Sequence, residues 1–248
     1  MPKTTSRIAA EPSRVLITGV TRGLGRAMVD EFVRLGHTVF GCARTKREIE
    51  ELTHLHPTHD FQTVNVASHV EVNAWAKRLL KSHGPPDFVL NNAAVINLKQ
   101  PLWRVTDRDF SDVIDINIKG AVNVIRYFVP SMITRKRGVI VNFTSRWGST
   151  FEAHMAPYCA TKWAVVVLTR VLAQELRAQG IAVVGLNPGI VKTELLQGYL
   201  GQTKTTDMAR YVSPAAWAMI AVPRILRFCM KDTGQLRTIK RQMASQRM

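Results

Sequence analysis

Apolar residues in this chain come in short unbroken runs, separated by longer stretches of mixed character. Arg14 to Thr18 (RVLIT), His37 to Cys42 (HTVFGC), Asp60 to Val66, Asp87 to Leu90, Gly138 to Thr144 (GVIVNFT) and Ile181 to Leu186 are such runs, rich in β-branched and aromatic side chains. Each reads as a strand, and Leu236 to Ile239 reads as a last one. The continuity of Gly138 to Thr144, without polar alternation, implies burial on both faces of a parallel sheet. The stretches between them have helical composition. One runs from the glycine-rich turn to about Leu35, where Gly36 supplies a C-terminal stop. Others cover Thr45 to Leu52, His69 to Ser82, Thr106 to Ile133 as one long helix, and a segment carrying Tyr158 through Leu176. The stretch from Asn187-Pro188-Gly189 to about Tyr211 reads as loop, with one more helix after it. Strands alternating with helices predict an α/β fold, a doubly wound parallel sheet with right-handed crossovers. No repeat or linker interrupts the pattern, so a single domain is expected.

Composition narrows the function classes. With 248 residues and 46% apolar content the chain can bury one large core. Its three cysteines, Cys42, Cys159 and Cys229, are distant from one another and outside any Cys-x-x-Cys pattern. That suits a reducing compartment without disulfides or a zinc site, and a cytoplasmic location is expected, with organelle targeting left open. No apolar run is long enough to span a bilayer, and the polar, basic first 13 residues lack a secretory core. The formal net charge of +16 raises the question of nucleic acid. No recognition motif accompanies it, so a solvated basic surface that attracts anionic ligands is the expectation. His54, His56 and His59 have metal-like spacing but fall on an exposed connection, and they are expected to be loop histidines. No metal is expected.

Two features carry chemistry. Tyr158 and Lys162 are four apart, hence on one helical face, where an ammonium beside a phenol favours the phenolate and brings it into working range. Ser145 lies on a preceding segment and could reach the same oxygen. The second feature is Thr18-Gly19-Val20-Thr21-Arg22-Gly23-Leu24-Gly25, between the first strand and first helix. Glycines there allow a tight turn and close approach of a phosphate, with a helix N-terminus to receive it.

The spacing G-x-x-x-G-x-G is similar to the glycine motif of the short-chain dehydrogenase/reductase family. So are Asn91-Asn92-Ala93-Ala94 after the fourth strand, the set Asn117, Ser145, Tyr158 and Lys162, and Pro188-Gly189 followed by Thr193. Within the family, LITGVTRGLGRA, GHTVFGCAR, APYCATKWA and LNPGIVKTELL resemble the plant-type NADPH-dependent pterin aldehyde reductases. The resemblance covers about residues 13–240. It implies a Rossmann-like sheet of about seven strands in the order 3-2-1-4-5-6-7, spanning 14–240, with a flexible segment at 1–13, a substrate loop at about 190–212 and a basic tail at 241–248. It also implies hydride transfer between a nicotinamide and a carbonyl carbon. Tyr158 would act as the acid, Ser145 would position the oxygen, and Lys162 would lower the phenol pKa and hold the ribose. Asn117 would hold a water that relays protons to Lys162. Cofactor contacts would come from Gly19, Thr21, Arg22, Gly23, Leu24, Gly25, Asn65, Val66, Asn92, Ala93, Ala94, Pro188, Gly189, Val191 and Thr193, besides Tyr158 and Lys162.

Three departures from the family pattern stand out. Ala94 replaces the usual glycine, Asn65 replaces the usual Asp at the adenine edge, and the chain lacks the D-G-G that commonly follows the last strand. Cofactor choice follows from charge: no acid stands at the end of the second strand to repel a 2′-phosphate. Arg44 there, and Arg22 in the glycine turn, could pair with one, so NADP(H) is expected. Trp147, Phe151, Met155, Leu195 and Tyr199 are the candidate substrate-lining residues, and His154 is expected to be a loop residue. Apolar excess on Val113 to Met132 and Ala160 to Leu176 implies, with the family, a homodimer or homotetramer. Other readings remain open: a dehydrogenase of the same type acting on an alcohol, steroid or sugar, or a silent NADP-binding or nucleic-acid-binding protein.

Overall fold

The structure, a computed structural model, describes residues 12–201 and 211–239. The expected terminal segments therefore lie outside the described residues apart from their edges, as does the middle of the expected substrate loop. Seven parallel strands form one sheet in the order β3-β2-β1-β4-β5-β6-β7. They are β1 (Arg14–Thr18), β2 (Thr38–Ala43), β3 (Asp60–Thr63), β4 (Phe88–Asn91), β5 (Gly138–Phe143), β6 (Ile181–Asn187) and β7 (Leu236–Thr238). The helices are α1 (Gly23–Arg34), α2 (Lys46–Leu55), α3 (His69–His83), α4 (Asp107–Ile114), α5 (Gly120–Arg135), α6 (Ala156–Arg177), α7 (Glu194–Leu200) and α8 (Pro214–Ile225).

Successive strand residues point to opposite faces, which splits the apolar runs between two cores. Val15, Ile17, Val39, Leu90 and Val141 pack with Met28 and Phe32 of α1 and Trp217 of α8. Leu16, Phe40, Val89, Ile140 and Val183 pack on the other face with Trp75 of α3, Phe128 of α5 and Leu176 of α6. Both faces being covered is why the central strands β1, β4, β5 and β6 carry little polar alternation, whereas the edge strands β3 and β7 are more exposed. Strand order reverses between β1 and β4, so their carboxyl ends diverge and leave the crevice in which such sheets bind ligands. No helix among the described residues is long and apolar enough to cross a membrane.

Several elements differ from the sequence expectation. β3 ends at Thr63, because Asn65 leaves the sheet: its Oδ1 accepts the Ala67 N–H at 3.1 Å in a side-chain turn. The long helix is two helices joined by a π-helical turn at Asp115–Lys119. A single-residue expansion of this kind leaves the apolar spacing nearly helical, so periodicity does not reveal it. The loop after β6 contains α7, capped by the Thr193 hydroxyl, which accepts the Leu196 N–H at 3.2 Å. His56 and His59 have internal partners. His56 Nε2 lies 3.2 Å from Asp30, and His59 Nδ1 accepts the Val39 N–H at 3.1 Å.

Candidate active site

Thr18 at the end of β1 organises the crevice. Its hydroxyl accepts the backbone N–H groups of Asn92 and Ala93 at 3.1 and 3.0 Å. The Asn92 side chain returns the contact, donating to the Thr18 and Gly19 carbonyls at 2.8 and 3.2 Å. Asn92 thus braces the glycine turn from β4, and its amide donors are directed there. Gly19 has φ +73° and donates to the Cys42 carbonyl at 2.8 Å, so the turn is tied to β2 as well. A side chain on Gly25 would drive its Cβ into the Gly19 carbonyl. This crowding leaves backbone alone lining the turn. The first turn of α1 has neither a side-chain cap nor an acid, so its N–H groups and positive dipole end are open to an anion.

The other cofactor candidates lie around this turn. Arg44 is exposed just beyond β2 and forms no ion pair among the described residues. Arg22 is also exposed and is paired with Glu194 of α7 at 2.9 Å. Asn65 accepts the Ala67 N–H at its Oδ1 and gives its own N–H to Glu71. Val66 is buried, and its carbonyl accepts from Asn123. Across the crevice, Pro188 is held by Trp217, whose Nε1 donates to its carbonyl at 2.8 Å. Val191 bridges to Val212, and Thr193 packs within 3.6 Å of the Cβ position of Gly23. Thr21 and Leu24 are half-buried, Leu24 against the α1 core, and Ala94 is half-buried beyond Ala93.

Tyr158 and Lys162 occupy the first two turns of α6 and are both buried. The Lys162 ammonium donates to the Phe143 carbonyl at 2.8 Å and sits 5.4 Å from the Tyr158 ring centroid. Ser145 ends the extended segment after β5, accepts the Trp147 N–H at 3.3 Å and favours the charged form of the Tyr158 phenol. Burial pushes the phenol pKa above its ordinary value, and Ser145 opposes this. Burial also lowers Lys162 to about 8. The ammonium thus faces the β5 carbonyl as well as the Tyr158 ring, a partner that helical spacing does not announce.

Asn117 also departs from expectation. It lies in the π turn, where its Oδ1 accepts the Val95 N–H at 2.8 Å and its Nδ2 donates to the Val95 carbonyl and to Thr161 Oγ1. This side chain clamps the loop after β4, with the second lone pair of its Oδ1 left over. Beside it is a cavity of about 10 Å³, lined by Asn117, Lys162, Asn91 and Asn142. Asn91 Oδ1 is buried there without a partner. The cavity is of one-water size, with Thr18, Asn91, Asn117, Asn142 and Lys162 as its polar lining.

The family model described as "short chain dehydrogenase" matches residues 13–203. The chain belongs to the short-chain dehydrogenase family. It is 43% identical over 231 residues to the NADPH-dependent pterin aldehyde reductase of Arabidopsis thaliana, covering 91% of this chain and 92% of that protein. It is 32% identical over 185 residues to a 3-oxoacyl-[acyl-carrier-protein] reductase of Staphylococcus epidermidis, covering 73% and 75% of the two chains. Among solved structures, ElxO with NADP bound superposes with a TM-score of 0.82 at 26% identity, covering 92% of this chain and 97% of that one.

In this short-chain dehydrogenase the substrate candidates separate into two groups. Met155 is buried with Tyr158 and Cys159, and Trp147 and Tyr199 pack against them. The Trp147 ring meets Tyr158 and Tyr199 edge-on, with centroids 5.8 and 4.9 Å away. Leu195 is half-buried on α7. Phe151 does not join this group: it is 81% exposed and stacks on Trp163 of α6, with centroids 5.5 Å apart. Asn97, Lys99 and Glu152 are site residues that the sequence did not single out. Buried Asn97 accepts the Tyr158 N–H at 3.2 Å and donates to the His154 carbonyl, fixing the start of α6. His154 is a loop residue with φ +70°, and its carbonyl also receives the Gln100 N–H. A lone Asn, Lys or Glu in a loop leaves no pattern in a single sequence, so nothing marked these three.

Proposed function

We propose that this protein is an NADPH-dependent carbonyl reductase whose substrate is a pterin aldehyde or a similar aromatic aldehyde. The observation that carries the reading is a buried Tyr158 with the Lys162 ammonium 5.4 Å from its ring, the lysine lining the same small cavity as Thr18 at the root of the braced glycine turn. The 43% identity to a pterin aldehyde reductase over nearly the whole chain supports the substrate class. The unpaired Arg44 and the absence of an acid beyond β2 support the phosphorylated cofactor.

When bound, the nicotinamide supplies hydride to the carbonyl carbon. Tyr158 gives its phenolic proton to the carbonyl oxygen as negative charge develops there, and Ser145 donates a hydrogen bond to the same oxygen. Lys162 keeps a positive charge beneath the phenol and stabilises the phenolate left behind. Its proton is replenished through the one-water cavity shared with Asn91 and Asn117. The test is NADPH consumption, followed by fluorescence, with 6-formylpterin, simple aldehydes, quinones and secondary alcohols. Turnover of alcohols with NADP⁺ but no aldehyde reduction would overturn the reading.

Arg44→Ala should raise KM for NADPH roughly tenfold, the scale of a lost charge-assisted contact, and leave KM for NADH nearly unchanged. Arg22→Ala should have a smaller effect, because its guanidinium is shared with Glu194. Equal shifts for both cofactors in steady-state kinetics would contradict the assignment.

Lys162 is the group that titrates first, because the phenol is pushed up while the lysine is lowered to about 8. Reduction needs both protons in place, so kcat/KM should be level below pH 8 and fall with unit slope above it. The sign for stability is opposite. The charged lysine is disfavoured in the fold, a cost present below pH 8 and relieved as pH rises toward its ordinary value of 10.5. A profile flat to pH 10 would contradict the role.

We also propose a two-fold assembly. Trp163, Val167 and Val171 form an exposed apolar stripe on α6, with Phe110 of α4 nearby in type, whereas α5 presents no large exposed apolar residue. Sedimentation should show a dimer or tetramer, and Val167→Asp should shift it toward monomer.

A further inference from the structure

We infer that Glu152 is a substrate-recognition residue, whose carboxylate receives the paired N–H donors on the pyrimidine edge of a pterin while the ring lies along Trp147 and Tyr199. The inference deepens the proposed pterin aldehyde activity and rests on it. Glu152 lies in the loop between the Ser145 turn and α6, with about a third of its side chain exposed, at 32%. Its Oε1 accepts the Tyr199 hydroxyl and the Lys99 ammonium, both at 3.1 Å. Three segments thus converge on one carboxylate: the loop after β4, the loop before α6, and α7. The hydrogen bonds from Lys99 and Tyr199 hold the carboxyl below its ordinary range, so it is ionised at neutral pH.

The aromatic contacts give this carboxylate a direction relative to the chemistry. From Tyr158 the chain of contacts runs to Trp147 at 5.8 Å, on to Tyr199 at 4.9 Å, and from the Tyr199 hydroxyl to Glu152. A planar substrate with its carbonyl at Tyr158 and its ring along these side chains would point its far edge at Glu152. In a 6-formylpterin that far edge carries the ring N3–H and the 2-amino group, two parallel donors. A carboxylate has about four acceptor positions and takes such a pair in the same bidentate way as it takes a guanidinium. Among the described residues both donors to Glu152 go to Oε1, and none goes to Oε2. Lys99 lies 5.3 Å from the Tyr199 ring centroid and neutralises the carboxylate without covering that oxygen. A simple aromatic aldehyde has no donor edge and would make no use of Glu152.

The bland alternative is that Glu152 is only a clasp holding α7 against the loops. Glu152→Gln separates the two, because the amide keeps an acceptor oxygen for Tyr199 while losing the charge and one of the two acceptor oxygens. The ratio of kcat/KM for 6-formylpterin to that for benzaldehyde should fall roughly 10- to 100-fold, the scale of hydrogen bonds to a charged group. Tyr199→Phe removes the clasp hydroxyl and should lower both substrates by similar factors. Binding of 6-methylpterin to the NADP⁺-loaded protein, read from pterin fluorescence, provides a test that needs no turnover. It should weaken by the same 10- to 100-fold in Glu152→Gln. An unchanged ratio and unchanged 6-methylpterin affinity would overturn the inference. Reduction of benzaldehyde by the parent protein with neither turnover nor binding of pterins would overturn it too, together with the pterin substrate class, while the reductase reading would survive. Absence of all aldehyde reduction with Glu152-dependent pterin binding would instead sink the reductase reading and uphold the site.

Discussion

Replacing Tyr158 with Phe lowers kcat for aldehyde reduction by about 10² to 10⁴, the range for loss of a positioned general acid. The ring itself is not the issue. It is buried against Met155 and Cys159 and meets Trp147 edge-on, and Phe reproduces each of those contacts. Only the hydroxyl is lost, and with it the proton for the developing alkoxide. Ser145 keeps the Trp147 N–H, and it is half-buried, so water can compensate. The stability change should stay within about 1 kcal/mol. NADPH affinity, measured by nucleotide fluorescence, should change by less than about threefold, since the cradle is built from Gly19, Asn92 and the start of α1. Single-turnover kinetics with saturating NADPH would isolate the step. A variant retaining most of its rate would mean that another group supplies the proton, and the lowered Lys162, at about 8, would be the first candidate.

The sheet was the most legible part of the chain. Buried parallel strands have to be continuous apolar runs, and six such runs separated by helical lengths leave few arrangements open. Element ends were less legible, because side chains decide them. Asn65 ends β3 early by bonding Ala67, and Thr193 starts α7 inside a stretch whose Gly198 and Gly201 read as loop. The residues expected at the site, Ser145, Tyr158 and Lys162, do converge, since helical spacing and the strand end leave them little freedom. Their directions were not legible. Lys162 turns to the Phe143 carbonyl, and the Asn117 amide to Val95, because each satisfies a buried backbone group that no sequence pattern announces. Phe151 shows the opposite error. Aromatic identity and proximity to Tyr158 in sequence suggested a pocket, yet the short loop before α6 is enough to swing it onto Trp163 of that helix.

The largest structural effect expected outside Tyr158 belongs to Gly25→Ala. The added methyl would meet the Gly19 carbonyl carbon at 2.8 Å and the Asn92 Nδ2 at 2.7 Å, and would overlap the Gly19 oxygen. None of these atoms can easily yield. The Gly19 N–H is fixed to the Cys42 carbonyl at 2.8 Å, and the Asn92 amide holds both the Thr18 and Gly19 carbonyls. Relief has to come from lifting the start of α1 away from β1, which opens the turn that would receive the pyrophosphate. Overpacking of this kind costs about 1–3 kcal/mol, and more where backbone atoms are the obstacle. If the strain is relieved by opening the turn, NADPH affinity falls roughly 5- to 150-fold. If the turn holds, the same energy appears as a lower Tm. Gly198→Ala on α7 is the matched control: among the described residues nothing lies within 4 Å of its added methyl, and helix propensity favours the change by up to about 1 kcal/mol. Thermal melting and fluorescence titration of both variants read the two routes separately. Wild-type values for Gly25→Ala on both would show that the close approach of α1 to the first strand is not needed for the cofactor cradle, leaving Asn92 and Thr18 to shape it alone.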